Sequence, residues 1–352
     1  EGNAWIKQFK LRASMGYTGT QNVDPSQSRA RYEYYDYVYG DKIGAQLVAL
    51  PNDKLKWQRN MDYNLGVDVT LKRFLTLRAD YYIQRTDDLL SNISLPPSTG
   101  FLTYTENLGK IENRGYELAV SVTPWRDDER QAYVTLSATA LHNKNKIKKI
   151  YDIFKNSNDE QNSSLDGSYD YNDGQPGDTE VLEKYLNKFT KPATLYYEGC
   201  SMTAIWGVRS LGIDPATGQE MFLTKDGRST YTWSSADQVV IGDTSPKMSG
   251  TLNLNAGYKG FTFSASCSYK FGGDLYNSEL VARMENINGQ SNLDRRLFKA
   301  WQKVGDVAPY KVTVISSGST NYTKPTSRFV QKNNELYISS VNVGYDFAGA
   351  AW

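Results

Sequence analysis

The stretch from Leu55 to Thr123, LKWQRNMDYNLGVDVTLKRFLTLRADYYIQRTDDLLSNISLPPSTGFLTYTENLGKIENRGYELAVSVT, restricts the possible folds more than any other part of the chain. Successive side chains of a strand point to opposite sides, so an apolar residue at every second position marks a strand with one apolar face. Tyr63, Leu65, Val67, Val69 and Leu71 make such a face, opposite Asp62, Asn64, Gly66, Asp68 and Thr70. After a minimal turn at Lys72 and Arg73, Leu75, Leu77, Ala79, Tyr81 and Ile83 repeat it opposite Thr76, Arg78, Asp80, Tyr82 and Gln84. From Thr86 to Arg114 the chain reads as irregular, because Pro96, Pro97 and Gly100 interrupt regular structure. Tyr116, Leu118, Val120 and Val122 then form a third apolar face.

The same unit recurs along the chain. Phe9, Leu11, Ala13, Met15 and Tyr17 alternate with polar residues near the start, and a long polar and aromatic segment follows. The charged turn WRDDER, Trp125 to Arg130, leads into Ala132, Val134, Leu136, Ala138 and Ala140, in a strand expected to end at His142. The longest excursion reaches about Pro246 and includes a local hairpin expected around Asp214, Pro215, Ala216, Thr217 and Gly218. Leu252, Leu254, Ala256 and Tyr258 pass through Lys259 and Gly260 into Phe261, Phe263, Ala265, Cys267, Tyr269 and Phe271. A further excursion, with a short helix expected in Leu293 to Lys303, precedes a last strand bearing Tyr337, Val341, Val343, Tyr345 and Phe347.

The connectors between these strands read long, short, long, short, long, short, long. An up-and-down barrel of the outer membrane needs this sorting, since its short turns lie in the periplasm and its long loops outside. Strands of roughly nine to eleven residues fit a tilted membrane crossing, whereas soluble strands run nearer five or six. Tyr17, Tyr258, Phe261, Phe271 and Phe347 sit at strand ends, where an interfacial girdle belongs. The expected fold is all-β: a transmembrane antiparallel up-and-down β-barrel with long extracellular loops. Its apolar faces meet outer-membrane lipid, and Lys10, Arg12, Asp62, Asp68, Arg78, Asp80 and Glu117 are expected to face the lumen. Two architectures compete with this one, a soluble or surface carbohydrate-binding β-sandwich and a small barrel that closes on itself.

Composition narrows the function. No run approaches the roughly 20 apolar residues of a spanning helix, and 40 basic against 39 acidic residues leave no basic stripe, so nucleic acid is not an expected partner. One histidine, His142, excludes HExxH, and neither GxSxG nor GxxxxGK[ST] occurs, so no catalytic residue is assigned and no enzymatic activity is expected. Asp87 and Asp88 are adjacent, and neighbours on a strand point apart, which argues against an acid/base pair. Cys200 and Cys267 fit no metal or redox motif and read as unpaired, buried small hydrophobes. Asp166 to Asp178, DGSYDYNDGQPGD, clusters oxygen ligands, yet its spacing departs from a calcium loop and the closing glutamate is missing. It reads as a solvated loop, and no metal or cofactor is expected.

Seven blocks carry a further signal: LKWQRNMDYNLGVDV, DYYIQRTDDLL, LPPSTGF, NLGKIENRGYEL, LGIDPATGQEMF, VVIGDTSPKMSGTLNLNAGYKGFTFSASCSYKFGGDLYN and TSRFVQKNNELYISSVNVGYDF. In this order they resemble the C-terminal barrel half of SusC-family TonB-dependent transporters of the Bacteroidetes. The resemblance implies a fragment of a barrel of about 22 strands, with all of residues 1–352 in one barrel domain and the plug, the N-terminal strands and the last strands outside this chain. It also implies a SusD-like surface lipoprotein lid, energy from TonB, and import of an oligosaccharide or a peptide, with a slight lean to peptides. The clustered Tyr32, Tyr34, Tyr35, Tyr37 and Tyr39 then have three readings: packing on neighbouring loops, contact with the lipoprotein, or stacking on substrate.

Overall fold

The structure, a computed structural model, describes residues 5–20, 29–39, 42–72, 74–94, 100–101, 103–166, 190–287, 294–312 and 322–347. Strands with one apolar face each must bury or share it, and here eight of them pair in chain order into one antiparallel sheet. They are β1 (Ile6–Thr20), β2 (Gln58–Leu71), β3 (Leu75–Asp87), β4 (Gly109–Asp127), β5 (Ala132–Ile150), β6 (Met248–Tyr258), β7 (Phe261–Tyr276) and β8 (Val330–Tyr345). Leu11 pairs with Val67, Val67 with Ala79, Ala79 with Leu118 and Leu118 with Ala140, so one apolar row crosses five strands in register. A slip of one residue anywhere would turn that row to the polar side.

The connectors sort as the sequence predicts. Short connectors join β2 to β3, β4 to β5 and β6 to β7 at one end of the sheet, and the four long connectors leave and re-enter it at the other. The turn at Lys259 and Gly260 has φ of 45° and 85°, the two positive values of a type I′ hairpin, whose twist suits long paired strands.

Among the described residues nothing packs on the apolar face. Leu11, Leu65 and Val343 are 67%, 61% and 76% exposed. A contiguous patch of this size is unstable in water and fits lipid. From Leu75 to Ile83 it runs about 26 Å along the strand, the scale of the ~25 Å apolar band of an outer-membrane barrel. Aromatic side chains rim it. At the turn end Phe261 lies 4.5 Å from Tyr345, centroid to centroid, with Phe347 beyond, and Lys72 caps the Trp5 ring at 4.3 Å. Tyr17, Tyr116 and Phe271 are exposed towards the loop end.

β4 and β5 each run 19 residues, longer than a crossing, and His142 lies inside β5 instead of ending it. Their outward positions turn polar at Arg114 and Lys144, so the alternation continues while its apolar label is lost. The described residues of the Thr86–Arg114 segment are largely strand: they hold the end of β3, a hairpin of Leu90–Ser94 with Thr103–Asn107, and the start of β4. Pro96 and Pro97 lie outside the described residues. Among the described residues no second large sheet packs on the first, and β1 and β8 are edges that do not pair with each other. The self-closing small barrel is thereby set aside, and with it the sandwich; the sheet is an open section of a larger barrel.

Above the sheet the loops form a layer with two small cores, one of Ile93, Leu108, Ile150 and Phe154 and one of Ile205, Tyr276, Val281 and Phe329. Among the described residues α1 (Asp152–Asp166) and α2 (Ser278–Met284) contribute to it. The expected hairpin forms from Arg209–Ile213 and Glu220–Leu223, and the short helix is a 3-10 turn, Arg295–Lys299.

Candidate functional site on the polar face and in the loop layer

The charges expected on one side of the sheet do share a face, opposite the apolar band, because strand parity and register carry them there. They divide into two groups. Arg12 donates from Nε and Nη2 to both oxygens of Asp68 at 2.9 Å and from Nη2 to Asp80 Oδ2 at 2.9 Å. Arg78 Nε reaches the same Asp80 oxygen at 3.1 Å. Asp80 Oδ1 lies 2.9 Å from Arg12 Nη1 but off the N–H axis, an ion-pair contact that leaves this oxygen without a hydrogen bond.

Gly66 makes this bridge possible. It pairs with Arg12 on one side and Asp80 on the other, and a Cβ there would stand 2.4 Å from Asp80 Oδ1 and 2.8 Å from Arg12 Cζ. The guanidinium of β1 therefore crosses β2 to reach β3. Lys10, Asp62 and Glu117 form the second group and have no ion-pair partner among the described residues. Glu117 is exposed beside Asp80 and lines a recess of about 370 Å³ with Arg78, Ala119 and Thr139.

The tyrosine segment forms a hairpin of Arg31–Tyr39 with Lys42–Ala49 in the first long loop. Tyr32 and Tyr34 are exposed on one side, and Tyr35, on the other, donates its hydroxyl to Gln46 Oε1 at 3.0 Å. Tyr37 and Tyr39 belong to the strand, but their side chains lie outside the described residues.

Local reading of the sequence missed a buried charge cluster that locks the loop layer. Arg328 reaches Glu220 at 2.6 Å and Glu285 at 2.7 Å, with side chains 13%, 5% and 0% exposed. Thr326 donates to Glu220 and Thr323 to Glu285, so the carboxylates are well satisfied. Burial alone would raise the Glu285 pKa, but the charge and hydrogen bonds of Arg328, with Lys311 nearby, hold it below the usual glutamate value. Asp214 opens its turn by accepting from Ala216 N and Thr217 Oγ1, which also lowers its pKa. Gly218, at φ 71°, faces the Trp301 ring so closely that a Cβ would stand 2.6 Å from it. The LGIDPATGQEMF block thus anchors Trp301, whose Nε1 donates to Pro215 O at 2.9 Å.

Cys200 and Cys267 are unpaired but only half-buried. His142 donates from Nδ1 to Lys247 O at 2.5 Å and stacks on Tyr116, both structural roles. Asp166 ends α1 and accepts from Ser235 N at 2.7 Å, while the rest of Asp166–Asp178 lies outside the described residues.

A meander of long strands with an apolar outer band, aromatic rims and loops sorted by parity defines a section of a transmembrane β-barrel. Residues 3–287 match the family described as TonB dependent receptor-like, beta-barrel, and the chain belongs to that family. TonB-dependent receptor P3 of Formosa agariphila is 28% identical over 97% of this chain, which covers 32% of that protein. TonB-dependent receptor SusC of Bacteroides thetaiotaomicron is 32% identical over 34% of this chain and 13% of its own length. The RagAB peptide transporter superposes over 98% of this chain and 35% of its own, with a TM-score of 0.72 and 19% identity, a likeness of fold. The chain spans about a third of the length of the first of these relatives.

Proposed function

We propose that the whole protein imports an oligomeric nutrient, a peptide or an oligosaccharide, across the outer membrane of a Bacteroidetes-like bacterium. The observation that carries this reading is the parity of the connectors on a sheet whose outer face is apolar. Residues 1–352 all belong to one barrel domain, with the tight turns in the periplasm and the loop layer outside. No bond is made or broken by these residues. TonB supplies the work through other parts of the protein, and a SusD-like lipoprotein covers the loop layer.

In this arrangement Lys10, Asp62 and Glu117 face the lumen with their charges uncompensated and meet a passing solute or a plug. Arg12, Asp68, Arg78 and Asp80 neutralise one another and shape the wall between them. Tyr32 and Tyr34 offer two exposed aromatic faces to the lipoprotein or the substrate. RagAB is named a peptide transporter, so peptides are the first ligands to test. The experiment is purification of the full-length protein from membranes, followed by mass spectrometry of what remains bound. The reading predicts a heat-modifiable band, a surface lipoprotein and a bound oligomer; recovery from the soluble fraction, or with no lipoprotein partner, would overturn it.

A further inference from the structure

The strongest unassigned feature is a cationic groove on the outer wall, just above the apolar band at the loop end. Pairing between β5 and β6 stops at Leu141 and Ser249. Above that point a recess of about 770 Å³ opens between the upper half of β5 and the 240–247 segment. Lys144, Lys146 and Lys247 line it, with His142 and Met248 at its lower edge. Lys144 and Lys146 are exposed, and none of the three lysines has an ion-pair partner among the described residues.

The two carboxylates in the recess are already engaged. Asp243 accepts from Thr203 Oγ1 and Ser245 N, and Asp274 accepts from Lys332 Nζ and Asp243 N. Next to the groove, Glu112 is shared by Arg85, Arg114 and Lys148, three cations on one carboxylate. Arg114 and Lys144 are direct cross-strand partners, and like charges placed opposite each other destabilise a ladder. Arg114 is relieved by Glu112 at 2.7 Å, and Lys144 has no such carboxylate among the described residues. The lower edge of the recess fixes its depth: Tyr116 and Met248 belong to the apolar face, so the lysines sit at the level of lipid headgroups.

We propose that this groove holds the phosphate groups of an outer-leaflet glycolipid, with its acyl chains on the apolar band below. Lysine binds phosphate as a point charge and its flexible stem adapts to the headgroup, and basic pockets at a membrane boundary recruit anionic headgroups in the same way. The inference rests on the outer-membrane reading above. It assigns the groove to lipid and leaves the lumen to the solute.

The test compares the full-length protein with a Lys144→Gln/Lys146→Gln/Lys247→Gln variant, both extracted from outer membranes in non-ionic detergent. Retained glycolipid is read by native mass spectrometry, and rebinding is measured with purified glycolipid before and after enzymatic dephosphorylation. The expected result is at least tenfold less retained glycolipid in the variant, rescue by the triple lysine-to-arginine variant, weaker binding in high salt, and loss of binding on dephosphorylation. Equal retention by the two proteins, or equal binding of phosphorylated and dephosphorylated glycolipid, would overturn it. Heat-modifiability distinguishes the two failures: if both proteins show it and retention is equal, only the lipid site falls, whereas a protein found soluble without detergent sinks the membrane reading and this site together.

Discussion

Two arginine–carboxylate clusters occupy the two layers of the molecule, and they differ in what surrounds them. On the sheet, Arg12 and Arg78 hold Asp68 and Asp80 on a polar face, where Arg78 remains 62% exposed. In the loop layer, Arg328 holds Glu220 and Glu285 with almost no solvent access. The bonds are of similar length, and the consequences are not. A buried carboxylate that loses its cation has little water to turn to; on the wall Asp68, 27% exposed, is rehydrated and the buried Asp80 keeps a second arginine, whereas Glu220 and Glu285 share Arg328. The wall cluster is therefore the more tolerant of substitution, and the loop cluster fixes the layer above the sheet.

The largest expected effect follows from breaking the buried cluster. Arg328→Met should destabilise the loop layer by roughly 3–5 kcal/mol, while replacing Arg328, Glu220 and Glu285 together by apolar residues should cost far less. Limited proteolysis of residues 205–223 and 277–287 would measure this, with heat-modifiability of the barrel unchanged. Equal damage from the single and triple variants would contradict the contrast drawn above.

Acid should act on the same cluster. The folded pKa of Glu285 lies below its unfolded value, so its contribution is complete above about 4.3 and is lost as pH falls through the lower folded value. Fluorescence of the loop-layer residues Trp206, Trp233 and Trp301 should stay constant to about pH 4.3 and change only below it. In Arg328→Met, burial is left to dominate, and the transition should move to higher pH.

Smaller effects belong to the wall. Gly66→Ala should push the Arg12 guanidinium away from Asp80, and because the displaced groups are flexible side-chain ends the cost should be about 1 kcal/mol, read as a lower thermal midpoint in detergent. Arg78→Gln should change that midpoint least, by under ~1 kcal/mol, since its partner keeps Arg12. A larger loss for Arg78→Gln than for Gly66→Ala would reverse the assignment of Arg12 as the central cation.

The membrane strands were legible because a face that must meet lipid prints an apolar residue at every second position, as in Leu75 to Ile83. The same rule hid the upper halves of β4 and β5, where Arg114, Lys144 and Lys146 keep the period but not the hydropathy. Helix α1 was hidden by composition: DIFKNSNDEQNSSLD favours turns, and the helix holds through tertiary contacts that no local window contains. Phe154 is fully buried, and Asn158 both donates to and accepts from the backbone of Tyr196. The loop cluster was out of reach for a similar reason, since Glu220 and Arg328 lie 108 residues apart. The charges of the polar face were legible as a face, but their division into bridged and unpaired groups depended on Gly66 leaving room for Arg12.

The central claim is that this sheet crosses the outer membrane with its loops outside and its turns in the periplasm. Single-cysteine labelling in intact cells tests it most directly, with Cys200 and Cys267 first replaced by serine. The account predicts that a membrane-impermeant maleimide labels Thr217→Cys in the loop layer, spares Lys72→Cys at the turn until the outer membrane is breached, and never labels Leu65→Cys on the apolar band, which only a lipophilic reagent reaches. Labelling of Lys72→Cys in intact cells, or of Leu65→Cys by the impermeant reagent, would contradict it.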